Sequence, residues 1–111
     1  VTLRAGERCM VPTGIAIALP DAGYVALVFA RSGLGIKKGI CLSNGVGVID
    51  SDYRGEIAVG LLNTSAQDYV IQPGERIAQL AVVPVVQAEL ELVDELDETE
   101  RGSGGFGSTG T

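Results

Sequence analysis

A chain of 111 residues, with 14 Asp and Glu against 8 Lys and Arg, is one domain with room for a real core but not for two. The net charge of −6 argues against a nucleic-acid partner held through a general phosphate field, and no apolar run reaches the ~20 residues that cross a bilayer. Histidine is absent, which removes Ser-His-Asp and Cys-His nucleophiles, histidine-ligated zinc and histidine acid-base chemistry together.

From Val1 to about Val93, short β-branched runs alternate with Gly, Pro and Asp, the pattern of an all-β sandwich or barrel. In chain order, the spacing predicts strands at Thr13 to Leu19, Tyr24 to Phe29, Glu56 to Leu62, Asp68 to Ile71, Arg76 to Val85 and Glu89 to Val93. Links such as Pro20 to Gly23, Asn63 to Ser65 and Gln72 to Glu75 carry turn chemistry. No sustained 3.6-residue apolar period occurs, so helix is expected to be minor. Ala5-Gly6-Glu7-Arg8 is echoed by Pro73-Gly74-Glu75-Arg76, each a turn feeding an apolar strand, as repeated hairpins in a jelly roll would produce.

Cys9 and Cys41 have no motif spacing, which favours two buried thiols in a reducing compartment over a disulfide or a metal site. A cytoplasmic location is expected, with a nuclear or organellar one open because a targeting peptide could precede Val1. Residues 89 to 100 hold seven carboxylates and no Lys or Arg, so that stretch carries −7. The remainder sums to +1, from eight basic and seven acidic residues, and could hold a small anion locally. The organisation expected is a β domain over 1–93, an acidic linker over 94–100 and a glycine-rich tail over 101–111. Five of the nine residues from Gly102 to Gly110 are glycine, so the tail cannot pack a core, yet it carries a lone Arg101 and a lone Phe106.

Two segments carry candidate chemistry. Ala30-Arg31-Ser32-Gly33-Leu34-Gly35 follows a strand; it offers a guanidinium fork, a hydroxyl and glycine-exposed amides to an anion, or it is a plain strand-to-turn junction. Ser43 to Glu56 has two apolar arms around glycines, suggesting a hairpin whose backbone and Asn44 amide could read the edge of a nucleobase. Asp50 and Asp52 share one face if they lie on a strand and diverge in a turn.

Four motifs stand in order here: ARSGLG (Ala30 to Gly35), NGVGVIDSDYRGE (Asn44 to Glu56), GERIAQL (Gly74 to Leu80) and RGSGGFGSTG (Arg101 to Gly110). In these the chain closely resembles the homotrimeric dUTPase family over nearly its whole length. The resemblance implies a dUTPase-like β-clip of jelly-roll type with a flexible tail. It also implies hydrolysis of dUTP to dUMP and pyrophosphate, which keeps uracil out of DNA and supplies dUMP for dTMP synthesis.

It makes Asp50 the group that orients and deprotonates the attacking water and sets Tyr53 against the deoxyribose. Asn44 and the backbone around Gly47 would read uracil. Arg31, Ser32, Gly33 and Gln79 would contact phosphates, while Arg76 stays open between that role and an ion pair with Glu75. Phe106 would stack on the base as Arg101, Gly107 and Ser108 close over the terminal phosphates. Mg²⁺ would ride on triphosphate oxygens and water with no direct protein ligand. The family's further motif, AxGxDLxA near the N-terminus, is lacking from this sequence, and its aspartate would help hold the metal-bound water shell. A dCTP deaminase-type enzyme of the same superfamily and a catalytically silent binding module are the competing readings. The partners implied are dUTP and two further copies of the chain, with no nucleic acid or membrane.

Overall fold

A computed structural model of the chain describes residues 1–107, so Ser108 and the last residues of the tail lie outside it. Eight strands form: β1 (Thr2–Leu3), β2 (Arg8–Pro12), β3 (Tyr24–Ala30), β4 (Ile40–Leu42), β5 (Gly47–Ile49), β6 (Ala58–Asn63), β7 (Tyr69–Val70) and β8 (Ala78–Pro84). One π-helical turn, Gly33–Lys37, is the helix present among the described residues. The strands make two three-stranded antiparallel sheets, ordered β2-β6-β4 and β5-β3-β8, and a two-stranded ladder of β1 with β7.

Alternation along the strands decides which residues meet between the sheets. On β6, Val59, Leu61 and Asn63 are buried while Ala58, Gly60 and Leu62 are not; on β3, Ala26 and Val28 are buried. Leu3, Val28, Ile40, Leu42, Val59, Leu61 and Ile71 form one core fed by both sheets. Asn63, fully buried, spends its whole amide: its Nδ2 donates to Leu3 O at 3.0 Å and Gln67 O at 2.8 Å. Its Oδ1 accepts from Ser65 N at 3.0 Å and Ser65 Oγ at 2.8 Å. A buried amide satisfied four ways can sit in a core that would otherwise reject it.

The echo between residues 5–8 and 73–76 is a repeated turn. Glu7 N donates to Arg4 O and Glu75 N to Gln72 O, with Gly6 at φ 78° and Gly74 at φ 79° in the third position. This is the geometry of a type II turn, which needs positive φ there.

Three expectations need correcting. Thr13 to Leu19 joins no ladder: Gly14 at φ 73° leaves the extended region, and the run's backbone bonds are those of Thr13 and Ile15 to Ile57. Glu89 to Val93 also forms no strand, and Leu90 and Leu92 stand fully exposed. Ser43 to Glu56 is not a self-paired hairpin, because β4 pairs with β6 whereas β5 pairs with β3; the Ser43–Val46 turn carries the chain from one sheet to the other. The short strands β1, β2, β4 and β5 were beyond the reach of a pattern that needs several alternations.

Cys9 and Cys41 are free and half-buried rather than buried. They stand opposite Leu61 and Leu62, consecutive residues of β6, and so on opposite faces of one sheet. The last bonds tying the C-terminal segment to the sheets are Val85 N to Gly23 O and Gln87 Nε2 to Ala22 O, so the packed body closes at Gln87, ahead of Val93.

Candidate functional site

The crossing from β4 to β5 and the turn that follows build one wall of an open cleft of about 310 Å³. Asn44, Gly47, Asp50 and Tyr53, all singled out from sequence, line it together. Opposite them stand Met10, Ala58 and Gly60 of the β2–β6 pair, with Glu56 between. The polar groups are local, but the cleft exists only because β5 belongs to the other sheet.

Gly47 is fitted closely into that wall. It lies opposite Val28, and a Cβ added to it would come within 3.1 Å of the Val28 Cβ and 3.8 Å of the Asn44 Nδ2. Bare backbone therefore faces the cleft beside the Asn44 amide, where paired donors and acceptors can approach a planar ligand. Asp50 N-terminally anchors the next turn, its carbonyl accepting from Tyr53 N at 3.2 Å. The Tyr53 hydroxyl donates to Glu56 O at 2.9 Å, which fixes the ring at the cleft's rim.

Arg31, Ser32 and Gly33 are elsewhere, at the end of β3 where the π-helical turn begins. Gly35 N closes that turn on Arg31 O at 2.9 Å, and the Ser32 side chain makes no capping bond, which leaves its hydroxyl for another acceptor. Gln79 belongs to this group. It faces Phe29 across the β3–β8 ladder, and its Nε2 donates to Ala30 O at 2.8 Å, beside Arg31. Arg76 precedes β8, and the carboxylate beside it is engaged otherwise: Glu75 Oε1 accepts from Gln72 N at 3.0 Å and Oε2 from the Tyr69 hydroxyl.

That engagement shifts both groups. The Tyr69 hydrogen bond, then the Gln72 amide, hold the Glu75 carboxyl below its ordinary value against a small desolvation effect. The same bond, then desolvation and the Glu75 charge, push the Tyr69 phenol up.

The described tail forms a third group. Arg101 Nε donates to Gly104 O, Gly104 N returns a bond to Arg101 O at 3.2 Å, and Gly102 N donates to the Thr99 Oγ1 at 3.0 Å. Phe106 is fully exposed at φ 50°, and Gly107 follows at φ 86°. Ser108 lies outside the described residues.

Within one copy the cleft and the Arg31 group do not meet at one point. Ile49 pairs with Ala26, and Asp50 lies beyond it; Arg31 lies beyond Ala30, at the other end of β3. Four strand steps of ~3.3 Å put roughly 13 Å between Ala26 and Ala30 alone. Sequence reasoning missed the facing wall, Met10, Ala58 and Gly60, and the bracing of the Tyr53 turn by Thr13 to Ile15. No local signal marks these residues, since only β-pairing brings them to the cleft.

Comparison with known proteins returns one family. The dUTPase family model matches residues 1–110. Deoxyuridine 5'-triphosphate nucleotidohydrolase of Burkholderia cenocepacia is 57% identical over 110 residues, covering 99% of this chain and 74% of that protein. Its counterpart from Desulfitobacterium hafniense is 56% identical, covering 99% and 73%. A Staphylococcus bacteriophage 80alpha dUTPase mutant with dUpNHpp superposes with a TM-score of 0.92 at 30% identity, over 100% of this chain and 80% of that one. A dUTPase mutant from phage phi11 of S. aureus, described as coordinating a structural Mg(II) ion, superposes with a TM-score of 0.81 at 26% identity, over 88% and 79%.

Proposed function

Because the chain belongs to the dUTPase family, we propose that it hydrolyses dUTP to dUMP and pyrophosphate at a site completed by neighbouring copies of itself. The observation that carries this reading is the single cleft lined by Asn44, Gly47, Asp50 and Tyr53, a base reader, a carboxylate and a sugar-facing ring side by side.

Uracil enters with its edge against the Gly47 backbone and the Asn44 amide, and the Tyr53 ring leaves no room for a 2′-hydroxyl. The Asp50 carboxylate holds a water in line with the α-phosphorus. As the water oxygen bonds to phosphorus, its proton passes to Asp50 and the bond to the bridging oxygen breaks, so pyrophosphate leaves. Most of the carboxylate's value is orientation of the water. Arg31, Ser32, Gly33 and Gln79 take the phosphate oxygens, and such fixed donors supply the charge stabilisation on which phosphoryl transfer chiefly depends. Arg101, Phe106 and Gly107 close over the nucleotide, together with Ser108.

Among the described residues no cluster of three or more His, Cys, Asp and Glu could grip a metal ion, and the cleft offers Asp50 and Glu56. That donor set fits Mg²⁺ arriving on triphosphate oxygens and water, where it would neutralise charge on the leaving pyrophosphate.

The separation of Asp50 from Arg31 along β3 argues for three copies. Both must reach the same phosphate chain, and a closed three-fold ring lets one copy give its cleft, a second its phosphate group and a third its tail. The domain roles follow: a body over 1–93 whose packed part ends at Gln87, a linker over 94–100 and a closing tail over 101–111.

The test is pyrophosphate release from dUTP, dCTP, dTTP and UTP. Turnover confined to dUTP is expected. Comparable turnover of UTP would remove the sugar-excluding role of Tyr53, and ammonia release from dCTP would replace the reading by deamination.

A further inference from the structure

Gly55 sits beneath the ring of Tyr53. A Cβ built on Gly55 would stand 2.5 Å from the Tyr53 Oη, 2.6 Å from Cζ and 3.0 Å from Cε1. These are overlaps, so one of the two groups must move. Gly55 is not among the described glycines with positive φ, and its backbone conformation is open to any residue. The ring, and not the main chain, is what requires glycine there.

The main chain on either side is tied down. Tyr53 N donates to Asp50 O at 3.2 Å, and Arg54 Nη1 donates to Ser51 O at 2.7 Å and to Tyr53 O at 3.3 Å. Beyond the glycine, Glu56 Oε2 accepts from Gly14 N at 3.2 Å, and Ile57 exchanges bonds with Thr13 and Ile15. That frame is held at several points, whereas the ring is held at its far end by one bond, from its hydroxyl to Glu56 O, so the ring is the part that gives way to a methyl group.

We propose that Gly55 is a specificity-determining positioning residue, the floor on which the Tyr53 ring lies so that it can separate deoxyribose from ribose. This rests on the assignment of Tyr53 to the sugar. The hydroxyl bond fixes how far the ring reaches across Gly55, and the missing side chain fixes how low it lies.

The experiment is a double-mutant cycle in the assembled enzyme with Gly55→Ala, Tyr53→Ala and both together. It follows kcat/KM for dUTP, UTP and dCTP and the thermal midpoint. Gly55→Ala is expected to lower the dUTP-to-UTP ratio of kcat/KM by about tenfold or more, mainly through KM, the scale of one misplaced pocket group. The dUTP-to-dCTP ratio should hold, because base reading lies on the Gly47 side. In the Tyr53→Ala background, Gly55→Ala should change neither the sugar ratio nor the thermal midpoint further. If Tyr53→Ala leaves the sugar ratio intact, the assignment of Tyr53 is overturned, and the inference with it. If Tyr53→Ala lowers the ratio and Gly55→Ala does not, only the floor role is overturned. A midpoint loss from Gly55→Ala that persists without the ring would place the demand for glycine in the backbone and overturn it as well.

Discussion

Asp50 and Asn63 show how differently two polar side chains are written into a sequence. Asp50 stands in a motif whose neighbours announce it, and the fold sets it in the cleft beside Asn44 and Tyr53. Asp50→Asn should keep nucleotide affinity within a few-fold yet cut kcat by roughly 10²–10⁴, since the amide still bonds the water but cannot take its proton. Equilibrium binding of a non-hydrolysable analogue beside single-turnover rates checks this. Asn63 gave no such signal. Its importance lies in total burial and in partners as distant as Leu3, a fact of pairing that no local pattern holds. The Tyr69–Glu75 bond was equally hidden, although Glu75 itself lay in plain view as a partner for Arg76. Glu75, depressed, stabilises the fold above the ordinary 4.5 and loses that effect as pH falls through its lowered value. Tyr69, raised, does so below the ordinary 10.0 and loses it as pH rises through its raised value. Tyr69→Phe should therefore cost on the order of 1 kcal/mol near neutrality, kept small because the pair is open to solvent. Denaturant titrations of the two proteins should begin to draw together below pH 4.5 and converge as pH falls through the lowered Glu75 value.

At the level of elements, the strands read from sequence were those long enough to show alternation, β3, β6 and β8 above all. Their boundaries moved by a residue or two. Thr13 to Leu19 misled because apolar alternation marks a chain able to enter a sheet, while Gly14 at φ 73° turns this one out of the extended region. The turns were the more legible feature: glycine in the second place of each repeated tetrad was visible before any geometry, and both glycines prove to have positive φ. A Cβ at Gly6 or Gly74 would meet nothing within 4 Å. Alanine at Gly74 should therefore cost about 1 kcal/mol of backbone strain and no more. A loss well beyond that in urea unfolding would mean that the turn carries packing as well.

For the molecule as a whole, the candidate groups were legible one by one, as was the need for further copies, but not where each lies along β3. The β3–β5 register reveals that Asp50, one step beyond the Ile49–Ala26 pair, lies level with the start of β3, while Arg31 follows its end. The chain is more extended than a compact domain of its length. Its radius of gyration is 19.0 Å, against roughly 13 Å for a compact domain of this length. Subunits bearing Asp50→Asn, mixed with subunits truncated after Glu100, should regain activity on exchange, because some trimers then hold an intact cleft facing an intact tail. Failure to regain any activity after verified exchange would refute the shared site.

The segment from residue 89 to residue 100, seven carboxylates with leucines standing free among them, leads to the tail. Like charges on one strand repel, so its span depends on the ionic strength around it. In the proposed trimer, Phe106 and Arg101 would act as a ligand on a tether, present at the neighbouring cleft at an effective concentration that the tether's span sets. Salt would then tune how often the proposed lid finds its site without touching any residue of the cleft.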